Sequence, residues 1–225
     1  MTSDGNNETD RDALVTALLD SHGQTFSAEL GIDLARNRPS DLFRWLCASL
    51  LISARISSAV ALRAAAALAE HGWTTARKMA DSTWEERVRV LNRSGYARYD
   101  EKTGRMLGDV CALALDAYGG DLRSLRDAAG RQPRKERELL KEFKGIGDVG
   151  ADIFCREAQS AWKELYPFAD RKAFDAAKRL GLPHQAEELA ALVPPERFPA
   201  LLAALVRTGL KKDFDDVKRM AAQAA

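Results

Sequence analysis

Residues 142–154 read EFKGIGDVGADIF and place Gly145, Gly147 and Gly150 within six positions. The segments on either side of this stretch have apolar residues at helical spacing, so the glycines end one helix and precede another. Glycine suits such a turn because it accepts backbone conformations that other residues avoid. The stretch therefore predicts two helices joined by a short turn with an exposed main chain.

A turn of this kind can serve two purposes. Without a Cβ at Gly145 or Gly147, a phosphate could approach the main-chain N–H groups, and the positive end of the second helix dipole would point toward the same anion. Such a turn would bind a phosphodiester backbone without reading its sequence. Alternatively, the stretch is a tight corner between two helices, in which Gly145 only ends the first helix and Gly147 only relieves crowding. Spacing alone leaves both interpretations open.

The rest of the chain has the same helical periodicity, and no segment alternates convincingly as a strand would. Helices are predicted over residues 11–20, 41–53, 58–71, 83–92, 101–118, 134–143, 149–160, 171–180, 196–208 and 213–223. Thr83 and Glu86 resemble a capping box, and Pro133 suits a first helical turn. With 225 residues and 46% apolar content, the chain can bury an ordinary core. We therefore predict an all-α protein.

The cysteines and histidines do not point to a metal site. Cys47, Cys111 and Cys155 are odd in number, far apart and without C-x-x-C spacing, so neither a disulfide framework nor a zinc or iron–sulfur site is supported. The three histidines are also widely separated and have no ligand spacing. We expect no metal and a reducing compartment.

Charge is distributed unevenly along the chain. The net charge is +1, but residues 1–40 carry 7 acidic and 3 basic groups. Residues 123–144 hold 8 Lys or Arg against 4 Asp or Glu and lead into the glycine turn, either as a solvated helix face or as part of a nucleic-acid surface. The acidic N-terminus lacks a signal-peptide pattern, and no apolar run reaches membrane-spanning length. A cytoplasmic protein without a membrane partner is expected.

The glycine stretch resembles the helix-hairpin-helix of the endonuclease III-like DNA glycosylase superfamily. The pattern of that motif is a Leu or Phe, any residue, Gly-apolar-Gly, two variable positions, a small residue and Ala. The matching positions are Phe143, Gly145, Ile146, Gly147 and Ala151. This motif and the further similarities described next stand along the chain in the same order as in the family, and the resemblance covers residues 41–181.

Three other stretches are similar to the same superfamily. FADRKAFDAAKRLGL, residues 168–182, resembles the segment that follows the hairpin, and it puts Asp170 on the catalytic aspartate of the family. LLISARISSAVALRAAAAL, residues 50–68, resembles a Leu-Leu-Ser-Ala-Gln stretch, and Arg55 matches the Gln that fills the gap left by an extruded nucleotide. LNRSGYARYDEK, residues 91–102, resembles the glycine-containing turn between them.

The resemblance implies an all-α fold of two helical lobes with a helix-hairpin-helix motif and a cleft between the lobes. A six-helix lobe over residues 41–163 would carry the hairpin, and residues 1–40 would join 164–225 in the second lobe. Packing at the C-terminus would close that lobe through Leu205, Leu210, Phe214, Val217 and Met220. The implied partner is double-stranded DNA containing a damaged or mismatched base, bound by a monomer associated with the nucleoid.

Individual site residues carry over by position. The residues expected to contact phosphate are Gly145, Ile146, Gly147, Val149 and Gly150, with basic support from Lys144, Arg171 and Lys172. Arg55 and Tyr96 would occupy the gap left by the extruded base, although either could be a surface side chain without that role. Asp170 would stabilise positive charge on the sugar and orient or deprotonate a water. It is also well suited to cap the following helix by accepting a hydrogen bond from the amide of Lys172 or Ala173, and the two roles are compatible.

Departures from the family pattern limit the chemistry. Val149 stands where lyase members carry the lysine that forms a Schiff base, so no lyase step is expected. No cysteine follows Cys155, so the iron–sulfur cluster of some members is not expected, and a monovalent cation at the hairpin carbonyls is the one cofactor allowed. Asp148 would repel a phosphate, so either it faces away and caps the second helix, or DNA affinity is low.

Three functions fit these residues, and we favour the first. The chain could be a monofunctional glycosylase of base-excision repair that hydrolyses the N-glycosidic bond of a damaged or mismatched base. It could instead be a non-catalytic helix-hairpin-helix protein that senses or bends lesion sites. It could also be a protein-interaction domain whose hairpin is only a corner.

Overall fold

The computed structural model describes residues 3–224, and these residues form helices and no strand. The all-α prediction is confirmed. The α-helices are α1 (Ser3–His22), α2 (Phe26–Glu29), α3 (Pro39–Ser53), α4 (Ser58–Glu70), α5 (Ala76–Ala80), α6 (Trp84–Arg93), α7 (Asp100–Tyr118), α8 (Leu122–Ala128), α9 (Pro133–Leu140), α10 (Asp148–Ala158), α11 (Arg171–Leu180), α12 (Ala186–Ala190), α13 (Phe198–Lys211) and α14 (Phe214–Ala224). Short 3-10 turns lie at Leu34–Arg36, Lys163–Leu165 and Pro195–Arg197. None of the helices described has both the length and the apolarity that a bilayer crossing requires.

The chain forms two compact units. Leu30–Leu165 is the central unit, and Met1–Glu29 with Tyr166–Ala225 is the terminal unit. Residues 1, 2 and 225, which the predicted lobes include, lie outside the described residues. The central unit contains α3 to α10, whereas the resemblance implies six helices in this region. The additional two are α5 and α8, which have 5 and 7 residues and are too short to show a periodic pattern.

The central unit is built around α3. This helix begins with Pro39 at its first position, where the missing N–H costs nothing, and most of its side chains are buried. It packs against α4 and α10. The indole N–H of Trp45, on α3, donates to the carbonyl oxygen of Phe154, on α10, at 3.1 Å. Because α10 is the second helix of the predicted hairpin, the buried helix α3 fixes the position of the hairpin.

The terminal unit has its own core, in which α1 packs against α13 and α14, and α11 packs against α13. Of the C-terminal residues expected to close this unit, Leu205, Phe214 and Val217 are buried. The expectation is wrong for Leu210 and Met220, which are 44% and 45% exposed. A Cβ on Gly209, in α13, would lie 3.8 Å from the Cβ of Ala176 on α11, so position 209 faces α11. Leu210 is the next residue and lies about 100° further round the helix, so its side chain points away from the core.

Candidate nucleic-acid interface

The glycine stretch forms the turn between α9 and α10 in the central unit. Phe143 and Ile146 are 1% and 4% exposed, so these two apolar side chains anchor the turn in the core. The amide of Ile146 donates to the carbonyl oxygen of Phe143 at 2.9 Å, and the amide of Ala151 donates to that of Gly147 at 2.9 Å. The amide of Ile146 therefore closes the turn itself, and the expected contact with phosphate does not fit this residue.

The local structure accounts for two of the three glycines. Gly145 has a φ of 92°, which other residues rarely adopt. A Cβ there would lie 2.2 Å from Cε of Met106 and 3.2 Å from Cδ1 of Leu50. Gly150 is buried, and its Cβ would lie 3.3 Å from Cδ1 of Ile146. The backbone conformation at one position and packing at both account for these glycines.

Gly147 is different, because the described residues give no reason for a glycine there. Its φ of −99° and ψ of −165° suit any residue, and an added Cβ would have no heavy atom of another described residue within 4 Å, apart from its chain neighbours. The suggestion that Gly147 relieves crowding in a corner is therefore wrong. Gly147 is the N-cap of α10, and no side chain caps the helix. The first amides of a helix have no intrahelical acceptor, so those of Asp148 and Val149 stay available at an exposed surface.

Asp148 points toward the first helix of the hairpin. Its Oδ1 lies 2.8 Å from Nζ of Lys141 and 3.9 Å from a guanidinium nitrogen of Arg137. The hydrogen bond from Lys141 lowers the pKa of this carboxyl. Of the two expectations for this residue, its facing away from the turn fits the structure, but the side chain does not cap α10.

Most cations of the basic run at 123–144 are already in ion pairs. Each pair joins an arginine or lysine to a carboxylate within 4 Å: Arg123–Asp121, Arg126–Glu164, Arg131–Asp127, Arg134–Glu138, Arg137–Asp152 and Lys141–Asp148. Lys144, in the turn, is exposed and has no ion pair among the described residues. The run is therefore mainly an ion-paired helix surface, and Lys144 is the member placed to meet an anion at the hairpin.

A cavity of about 420 Å³ opens beside the turn and brings several expected residues together. Its lining consists of Leu50, Ser53, Ala54, Arg55, Tyr96, Tyr99, Lys102, Thr103, Met106, Lys144 and Gly145. Arg55 lies exposed in the break between α3 and α4, and its gap-filling role stays a prediction. Lys102 was not singled out from the sequence, because only the packing of α7 against the break brings it to this rim. The only available signal was its place at the end of the stretch 91–102.

Tyr96 is a core residue. Its side chain is 0% exposed, and its hydroxyl donates to the carbonyl oxygen of Leu51 at 3.4 Å. Burial raises the pKa of Tyr96. The expected wedge role does not fit this position, because a fully buried ring cannot enter a DNA stack while the unit stays folded. Tyr96 contributes to the cavity wall instead.

Asp170 begins α11 in the terminal unit. Its Oδ1 accepts a hydrogen bond from the amide of Ala173 at 2.9 Å, which is the expected N-cap. The residue is 6% exposed. Arg171 and Lys172 are exposed at the start of the helix, and Arg171 lies 3.8 Å from Asp175. The catalytic role of Asp170 stays a prediction.

A carboxyl pair that was not foreseen from the sequence lies beneath the first hairpin helix, with Glu136 buried and Glu164 partly exposed. Glu136, on α9, is 0% exposed, and no described group donates a hydrogen bond to its oxygens. Burial, and next the carboxylate of Glu164, raise the pKa of Glu136 to about 8. Burial would also raise the pKa of Glu164, but hydrogen bonds from Arg126 lower it to about 2. At neutral pH the pair therefore holds one proton.

No three His, Cys, Asp or Glu side chains in the described part of the chain are grouped as metal ligands. The three cysteines are buried thiols, and burial raises the pKa of Cys47 and of Cys111, the latter to about 12. That the protein needs no metal or iron–sulfur cofactor stays a prediction. The monovalent cation allowed at the hairpin carbonyls stays a prediction as well.

Comparisons with known proteins give a likeness among the solved structures. No family model matches the chain, and no curated protein matches it. Among solved structures it is similar to endonuclease III trapped as a covalent intermediate with DNA, in an estranged-adenine complex. The two chains are 18% identical with a TM-score of 0.46, and the match covers 72% of this chain and 71% of that one.

Proposed function

We propose that the central unit binds the sugar-phosphate backbone of double-stranded DNA through the amides at the start of α10. The observation that carries this proposal is Gly147, a glycine that neither backbone conformation nor packing requires, at an uncapped helix start. A bare main chain at that point lets a phosphate reach the amides of Asp148 and Val149, and the helix dipole favours the anion. Lys144 adds an unpaired positive charge in the same turn.

We propose further that the protein is a monofunctional glycosylase acting on a damaged or mismatched base. Asp170 would take a proton from a water molecule whose oxygen attacks C1′ of the sugar. The N-glycosidic bond breaks, its electron pair leaves with the base, and a proton from solvent completes the base. The carboxylate also stabilises the positive charge that develops on the sugar. Val149 has no nucleophile, so the strand stays intact after the base has left.

A second candidate is a non-catalytic protein that binds lesion sites. The specific observation in its favour is the state of Asp170, whose Oδ1 caps α11 and whose side chain is nearly buried. A carboxylate engaged with its own helix has less freedom to orient water. The third possibility, a protein-interaction domain, predicts no salt-dependent binding to DNA.

One experiment separates the first two functions. The protein is incubated with duplexes containing alkylated, oxidised, deaminated or mismatched bases, and alkali then converts any abasic site into a strand break. A glycosylase gives breaks only after alkali, and Asp170→Asn abolishes them while preserving DNA binding, because Asn also caps helices. Asp175→Asn, on an exposed carboxylate of the same helix, serves as the matched control and keeps full activity.

Each outcome has one interpretation. Breaks that persist in Asp170→Asn would reject the proposed role of Asp170. Breaks that appear without alkali would show a lyase step and reject the inference from Val149. Binding without any abasic product across the panel would favour the non-catalytic candidate.

A further inference from the structure

The terminal unit has a groove that the proposed function does not use. This terminal groove lies between α11, the end of α13 and the start of α14, and its volume is about 390 Å³. All its lining residues belong to Tyr166–Ala225, so the groove is complete within one unit. The lining consists of Lys172, Asp175, Ala176, Arg179, Val206, Gly209, Leu210, Lys212 and Phe214.

The floor of the terminal groove is apolar. Ala176, Val206 and Phe214 are buried beneath it, and Leu210 is 44% exposed within it. Leu210 does not pack in the core of the unit, so its side chain stays available to another molecule. An apolar group that covers Leu210 would gain the free energy of removing both surfaces from water. The floor therefore favours a ligand that carries an apolar side chain.

Cations surround this floor. Lys172, Arg179 and Lys212 are exposed, and none of them has an ion pair with a residue that the structure describes. The guanidinium of Arg179 lies over the ring of Phe214, 4.1 Å from its centroid, which leaves the N–H groups at its edge to donate. Against these three cations the lining contains one carboxylate, that of Asp175. The terminal groove therefore favours an anionic ligand.

Two positions at the end of α13 are the reverse of what helix stability favours. Gly209 lies inside the helix, where Ala would be more stable, and an added Cβ would make an ordinary contact with Ala176 at 3.8 Å. Lys212 follows the helix with a φ of 62°, a conformation that glycine adopts without strain. The glycine keeps the floor open, and the lysine adds a cation to the lining. Both choices suit the terminal groove better than they suit the helix.

The spacing of the cations indicates an extended ligand. Lys172 and Arg179 lie at opposite ends of α11, about 10 Å apart along its axis. About three residues of an extended peptide span this distance, so two acidic side chains can meet the two cations while an apolar side chain between them covers Leu210. A sugar-phosphate backbone has the charges but no apolar group for the floor. The combination therefore favours a peptide over a nucleic acid.

We propose that the terminal groove binds an acidic peptide segment of a partner protein, with one apolar side chain on the floor and carboxylates at the surrounding cations. Recognition of acidic motifs by clustered cations is a common mode of peptide binding. The proposal goes beyond the binding of DNA, because it concerns the terminal unit and does not depend on the hairpin.

The test is fluorescence anisotropy of the full-length protein with a labelled probe peptide, in which one leucine is flanked on both sides by aspartates. A second probe has serine in place of the leucine and should bind about tenfold more weakly, because burial of a leucine side chain has this order of effect. Leu210→Ser reduces the ratio of the two affinities to about one. Met220→Ser changes an equally exposed apolar residue outside the lining and leaves the ratio unchanged.

Further variants separate binding from folding. Lys172→Ala weakens binding of the leucine probe about threefold, whereas Lys178→Ala, at an exposed lysine of the same helix outside the lining, does not. Gly209→Ala raises the midpoint of urea unfolding followed by circular dichroism, because Ala favours the helix. It nevertheless weakens binding of the leucine probe, because the new methyl group occupies the floor. A more stable variant that binds less well cannot be explained by misfolding.

Three results would overturn the inference. The first is no binding of the leucine probe, and the second is equal binding of the leucine and serine probes by the wild-type protein. The third is weaker binding of duplex DNA by Lys172→Ala with unchanged binding of the leucine probe, which would assign these cations to a nucleic acid. The two peptide results leave DNA binding by the hairpin untouched, so the two proposals fail separately.

Discussion

Replacement of Glu136 by Gln tests the carboxyl pair beneath the hairpin. Gln has nearly the same shape as a protonated Glu, but it does not titrate. Arg126, on α8, and Glu164, in the last 3-10 turn of the central unit, are the charged groups that face position 136. The variant therefore removes the titration of Glu136 and keeps the rest of the cluster.

The magnitude follows from the two pKa values of Glu136. Its pKa is about 8 in the folded protein, whereas the ordinary value, which applies to the unfolded chain, is 4.5. Between these two pH values the folded chain keeps a proton that the unfolded chain has released. Stability then falls as pH rises through this window, by about 1.4 kcal/mol per unit. The lowered pKa of Glu164 acts in the opposite sense, and its contribution is lost only as pH falls through about 2. Between pH 5 and 9, wild type should lose roughly 3–4 kcal/mol relative to Glu136→Gln.

Urea unfolding followed by tryptophan fluorescence measures this difference in the central unit, which contains Glu136 and Glu164. The chain has 4 tryptophans, Trp45, Trp73, Trp84 and Trp162, and all lie within Leu30–Leu165. Comparing wild type with the variant at pH 5, 7 and 9 cancels the titration of all other groups. Glu138→Gln, on the exposed side of α9 where it pairs with Arg134, is the matched control and should show no pH-dependent difference. A difference between wild type and Glu136→Gln that is the same at pH 5 and pH 9 would refute the raised pKa of Glu136.

Further expectations concern the turn and its surroundings. Gly145→Ala should lower the stability of the central unit by about 1–3 kcal/mol, because Ala is strained at a φ of 92° and the end of the Met106 side chain must move away from the new Cβ; unchanged urea midpoints would contradict this. Asp148→Asn removes a negative charge near the proposed phosphate and releases Lys141, so DNA affinity and its salt dependence should both increase in filter-binding titrations; weaker binding would contradict the assignment. Arg55→Ala should change stability by less than about 0.5 kcal/mol and still weaken binding of a bulged duplex, and equal binding would exclude Arg55 from the interface.

The long helices could be predicted because their burial leaves a periodic pattern. α3, α7 and α13 each have an apolar face that repeats over 14 or more residues. The short helices α5, α8 and α12 have 5 to 7 residues, and their conformation depends on packing against neighbours that no local pattern encodes. The sequence therefore predicts the fold class and the long helices, but it gives little information about the short connecting helices.

The turn itself was also predictable, since glycine spacing and flanking apolar residues are local features. The residues around it were not. The resemblance of its turn predicts that Tyr96 enters the gap left by an extruded base, yet its hydroxyl contacts the carbonyl oxygen of Leu51, which is distant in sequence. Glu136 sits within a basic run that looks solvated, and only the fold brings Glu164 and Arg126 to it. Contacts between residues far apart in sequence decide burial, and one sequence does not reveal them.

The most direct test of the central claim is the salt dependence of duplex affinity in Gly147→Ser. Ser fits the backbone at this N-cap and can accept from the amide of Gly150, so the protein should fold at least as stably while the approach to the amides is closed. Gln132→Ser caps α9 in the same way and is the matched control. We predict that Gly147→Ser weakens binding about tenfold or more and reduces the log–log salt slope by about one, with Gln132→Ser unchanged. Wild-type affinity and slope in Gly147→Ser would contradict the claim that these amides bind a phosphate.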